Sequence, residues 1–88
     1  MRTASIKHIT ATGDITTASA VIKTVILTGG SDAATAVVKA GGSGGTTVLT
    51  VNAATVTTVQ VPLHDADAAG GIHVTLTGTS PKCTVVYS

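Results

Sequence analysis

An all-β fold, a small antiparallel β-sandwich or jelly-roll-like barrel of about seven or eight short strands, is what this sequence predicts. Three observations carry that expectation. Runs of Val, Ile and Leu alternating with polar residues recur with turn signals about every 8 to 12 positions, the rhythm of short strands and tight connections. Threonine fills about a fifth of the 88 positions, which suits the wet side of pleated sheets. The one stretch with helix-forming composition, Ala33 to Ala40, carries the β-branched pair Val37-Val38 and is followed by Gly-Gly-Ser-Gly-Gly, so it reads as strand.

Taken in order, the chain opens on Ser5 to Thr12, where Ile6 and Ile9 alternate imperfectly with polar residues before Gly13-Asp14 turns into Ile15 to Thr17. Residues 1–18 are therefore expected to be a weak strand or docking arm, and residues 19–88 the sandwich proper, one domain overall. In SAVIKTVILT, strict alternation places Val21, Val25 and Leu27 on one face and Ile22 and Ile26 on the other, predicting a strand covered from both sides. Gly29 to Asp32 stops it. Gly41 to Gly45 reads as a hairpin loop into TTVLTVN, and Asn52-Ala53-Ala54 as a turn into TVTTVQVPL, where Pro62 predicts an edge strand or a strand exit. His64 to Gly71 reads as a polar loop. The last stretch, Gly70 to Ser88, alternates Ile72, Val74 and Leu76 with His73, Thr75 and Thr77, turns at Gly78 to Pro81, and resumes with Cys83, Val85 and Tyr87. It predicts a closing β-hairpin with one apolar face and one face of threonine.

Composition limits the function. At 88 residues, with no Phe or Trp and a single Tyr, the core is made of small side chains. Burying a Val, Leu or Ile gives about 1.5–3 kcal/mol, against an ordering cost of about 1–2 kcal/mol per residue. Such a chain is expected to gain burial from partner copies. One cysteine permits no disulfide within the chain, and Cys83 reads as a small buried hydrophobe. No secretory signal is expected, because the opening residues Met1 to His8 hold no continuous apolar stretch, and no membrane-spanning run is expected, because Val21 to Leu27 is short and broken by Lys23. A chain made and released as a soluble cytoplasmic product is expected. Five basic and four acidic residues, scattered singly, leave a net charge of +1, so neither nucleic acid nor a membrane is an expected partner.

No chemistry-bearing constellation emerges. Gly41 to Gly45 lacks the Lys of a phosphate loop and the third glycine of a dinucleotide fingerprint, and its G-x-S-x-G letters lack a strand-to-helix context. His64, Asp65 and Asp67 form the one local cluster of ligand-type residues. Asp65, Asp67 and Gly70 match positions 1, 3 and 6 of a calcium loop, but Ala69 and Leu76 occupy positions 5 and 12, so a solvated turn is expected there. His8, His64 and His73 are too dispersed for a zinc site. No catalytic, cofactor-binding or metal-binding residue is therefore assigned, and no enzyme is expected.

The stretches VIKTVILTGGSDAATAVVKAGG, GGTTVLTV and GGIHVTLTGTSPKCTVVYS, between Ala20 and the C-terminus, resemble a family of small all-β structural proteins of tailed bacteriophage virions. The resemblance implies a compact β-sandwich that serves as capsid decoration or as part of the tail or fibre apparatus, with no catalytic residues. The resulting expectation is a decoration or cement protein located in the virion. It would self-associate, as a trimer, and dock on the major capsid protein or another virion protein. A tail or fibre component is the first alternative. A carbohydrate-binding domain would need more aromatic faces than Tyr87 supplies, and an ice-binding surface would need a regular threonine array.

Overall fold

The computed structural model describes residues 5–88, apart from the side chains of His64 and Asp65. Eight strands form: β1 (Ser5–Ile9), β2 (Gly13–Thr16), β3 (Ala20–Thr28), β4 (Ala34–Ala40), β5 (Thr46–Ala53), β6 (Thr58–Ala68), β7 (Ile72–Thr77) and β8 (Lys82–Tyr87). There is no helix among the described residues, so none is long and apolar enough to cross a membrane. Two antiparallel sheets of four strands have the orders β1-β8-β3-β6 and β2-β7-β4-β5. We call them sheet A and sheet B.

The orders have a simple origin. First pairs with last, second with seventh, third with sixth and fourth with fifth, as in one long ribbon folded at its middle. The ribbon is then rolled so that β8 meets β3 and β7 meets β4. That is jelly-roll wrapping. Only β4 and β5 are consecutive strands within one sheet, and the other six connections cross from sheet to sheet.

This wrapping corrects the closing hairpin. β7 belongs to sheet B and β8 to sheet A, so the Gly78–Pro81 turn arches over the core instead of joining paired neighbours. Alternating apolar residues require only that Ile72, Val74 and Leu76 face Cys83 and Val85, and an arch meets that requirement across the core as well as a hairpin would beside it.

The core lies between the sheets. Ile22, Val25, Leu27, Val38, Ile72, Val74, Cys83 and Val85 are its largest fully buried side chains. β3 is apolar on both sides of the sequence pattern, yet it is not covered on both. A register shift between Ile22 and Thr24 turns Ile22 inward beside Val25 and Leu27, leaving Ile26 on the outer side. The shift lies opposite three residues of β6, Leu63 to Asp65, which span the step from Pro62 to Ala66. β6 also continues to Ala68, so the segment expected as a polar loop is strand for most of its length. Pro62 does lie on an edge strand, as its missing N–H requires. Residues 5–16, expected as a weak strand or arm, supply an edge strand to each sheet.

Close backbone approach explains the glycine pair after β3. A Cβ on Gly29 would run into the carbonyl of Ala54, and one on Gly30 into the carbonyls of Thr79 and Ser80. The β3–β4, β5–β6 and β7–β8 connections therefore meet at one end of the sandwich, through contacts that only glycine allows. Val56 sits in the same cluster with φ 54°, its N–H donating to Gly30 O at 3.1 Å and its side chain 80% exposed. A β-branched residue pays for the left-handed conformation without a burial return. Val56→Asn is expected to raise stability by about 1 kcal/mol, read as a higher denaturation midpoint. A lower midpoint would show that the valine side chain has a compensating contact.

Candidate functional site

Strand register assigns the outward side chains of each sheet to cross-strand rows. On sheet A one row runs Ile6, Val86, Thr24, Pro62, and the next His8, Thr84, Ile26, Gln60. A third runs Lys82, Thr28, Thr58. His8 Nδ1 lies 2.8 Å from Thr84 Oγ1, and the hydroxyls of Thr28 and Thr58 are 3.0 Å apart. Ile6 is 70% exposed. This face sets aliphatic groups among hydroxyls, with Lys82 of β8 in its third row.

The outer face of sheet B differs. Its rows are Asp14, His73, Lys39, Thr47, then Thr75, Val37, Thr50, then Thr77, Thr35, Asn52. Thr35 Oγ1 donates to Asn52 Oδ1 at 2.9 Å, and Lys39 Nζ donates to Ser43 O at 3.1 Å. Beside β2, the Thr12 hydroxyl accepts from Leu76 N–H at 2.9 Å and donates to Leu76 O at 3.3 Å. Val37 is the sole apolar side chain in these three rows. The His73 and Lys39 positions also break the threonine pattern, so this face presents no uniform threonine array.

His73 is the buried polar residue of the described structure, 8% exposed, with Nδ1 2.7 Å from Asp14 Oδ1. The sequence places it on a wet face, but the adjoining β2 covers it. Asp14→Ala would leave the ring nitrogen without its partner, at an expected cost of about 1–3 kcal/mol. Chemical denaturation measures this, and an unchanged midpoint would mean that water replaces the carboxylate.

The remaining sequence candidates do not converge. Gly41–Gly45 is the connection of the one in-sheet hairpin, β4 to β5. Residues 65 and 67 belong to extended β6 and not to a calcium-type loop; the Asp65 and His64 side chains lie outside the described residues, and Asp67 is exposed. Among the described residues no three His, Cys, Asp or Glu side chains gather as an ion site, and no cleft opens. Tyr87 is half-buried and packs on the core, so its ring is not an outward stacking platform.

Cys83 is fully buried, and desolvation pushes its thiol up from 9.0 to about 11. The unfolded chain therefore ionises first. The stability associated with the neutral thiol is whole below pH 9 and is lost as the pH rises to about 11. At pH 8, an aromatic disulfide reagent is expected to label the folded protein many-fold more slowly than the denatured chain. Immediate stoichiometric labelling would contradict the buried position.

Comparison with protein-family models, curated proteins and solved structures finds no match to this chain.

Proposed function

We propose that this chain is a non-enzymatic structural tile of a tailed-bacteriophage virion, a capsid decoration or cement protein that docks through the outer face of sheet A. The difference between its two broad faces carries the reading. One displays Ile6, Val86, Ile26 and Pro62, and the other is dominated by threonine, asparagine and paired polar groups. The molecule is a slab, 37 × 28 × 16 Å, so these faces make up most of its surface. A slab with one side suited to burial and one suited to water is what a shell-covering part requires.

The resemblance of the stretch from Ala20 to Tyr87 to small phage structural proteins supports the same reading, as does the small-residue core, which favours burial against a larger body.

Quantitative mass spectrometry of particles from the genome that encodes the chain tests the proposal. The expected result is a fixed, high copy ratio to the major shell protein. Ile6→Asp should reduce retention on the particle by about tenfold or more, whereas Thr77→Asp on the opposite face should leave it unchanged. Absence of the chain from purified particles would overturn the proposal. Equal loss with both substitutions would overturn the assignment of the face.

A further inference from the structure

Four strands end the two sheets, and they are not equally guarded against pairing with another chain. In sheet A, β1 places Lys7 at an inward register position, opposite buried Val85, yet on this edge strand Lys7 is exposed. β6 carries Pro62 and the three-residue irregularity opposite Lys23. In sheet B, β2 has only four residues and is irregular between Asp14 and Thr16. Lysine, proline, brevity and bulges are the devices that stop edge-to-edge association. β5 has neither a charge nor a proline, and after the single irregularity at Val48 it runs regularly from Leu49 to Ala53.

We propose that β5 is a self-pairing edge, through which two copies of this chain join their B sheets into one eight-stranded sheet. The chemistry of the strand is self-complementary. With Val51 on a two-fold axis, Thr50 lies opposite Asn52 of the second copy on the outer face. On the inner face Leu49 lies opposite Ala53 of that copy. No charge meets a like charge. Asn52 already receives Thr35 Oγ1 on its Oδ1, so its Nδ2 is left to donate to the Thr50 hydroxyl of the second copy. The seam between the sheets on this side is lined by half-buried Leu49, Val59 and Val61, which the added copy would cover. The seam by β1 bears Lys7 instead. A second copy fits better than a charged peptide, because the five-residue edge offers no ionic group to select one. The contact is isologous and imposes two-fold symmetry, where the sequence suggests a trimer. It requires nothing of where the chain works.

Sedimentation equilibrium of the full chain from micromolar to millimolar concentration provides the test, together with hydrogen exchange on the same samples. A monomer–dimer equilibrium is expected, with exchange at Leu49–Ala53 slowing as the dimer fills. Thr50→Lys/Asn52→Lys sets lysine against lysine twice and should weaken association by about tenfold or more. Thr50→Lys/Asn52→Asp sets lysine against aspartate twice and should restore it. Both double variants change exposed side chains, and a cooperative melt confirms that each folds. A wild-type monomer throughout, a trimer, equal association by the two variants, or a dimer that is lost with Ile6→Asp and kept with the double lysine would each overturn the proposal. Capture of an added extended apolar peptide by monomeric wild type would do so too, in favour of a different occupant.

Discussion

A chain that stops after Pro81 is expected not to fold. β8 is an interior strand of sheet A, lying between β1 and β3, so its removal breaks two ladders at once. It also removes Cys83 and Val85, both fully buried. Beyond its end, Ser88 and Val21 exchange backbone hydrogen bonds at 2.8 and 2.9 Å. Without β8, β1 has no partner in its sheet and the B-sheet core residues face water. For a domain with total stability of about 0.05–0.15 kcal/mol per residue, that loss exceeds the whole. The truncated chain should show no cooperative thermal transition by circular dichroism, and a sharp transition would refute the interior placement of β8.

Leu27→Ala is expected to cost about 2–5 kcal/mol, the range for emptying a buried leucine site. Leu27 is fully buried on β3, beside Val59 of β6 and Cys83 of β8 in the ladder. At about 4–8 °C per kcal/mol for a domain of this size, the melting temperature should fall by at least about 8 °C. The neighbouring Ile26→Ala is the control. Ile26 faces outward, and its truncation should cost less than about 1 kcal/mol. Similar losses for the two would mean that the outer face of sheet A is covered in solution.

The strands themselves were legible because a period of two in Val, Ile, Leu and Thr needs no tertiary information to be read. Pro62 likewise announced its edge, since a residue without an N–H cannot serve an interior ladder. What the sequence could not carry was the pairing of the strands. The alternation in Ile72–Thr77 and Lys82–Tyr87 is the same whether they lie side by side or on opposite layers, so the pattern alone does not distinguish an arch from a hairpin. Strict alternation also failed at Lys23, where one irregularity changes the side on which Ile22 falls. The contrast between the outer faces was hidden for the same reason. Ile6, Val86 and Pro62 are far apart in the chain and fall in one cross-strand row only through register. The burial of His73 is invisible in the local pattern because its cover, Asp14, comes from a strand 59 residues earlier.

Pairing Ser5 with Tyr87 gives this small protein a particular life on the ribosome. β1 must wait for β8 before it has anything to hold, and by then every residue between them has been synthesised. Closing so distant a contact is slow, on the order of milliseconds to seconds for sandwiches of this kind, compared with microseconds for helical bundles. Until β8 is made, Ile22, Val25 and Leu27 lie bare on an unfinished sheet. Until β8 has left the exit tunnel, that apolar face stays open to the contacts that lead to misfolding.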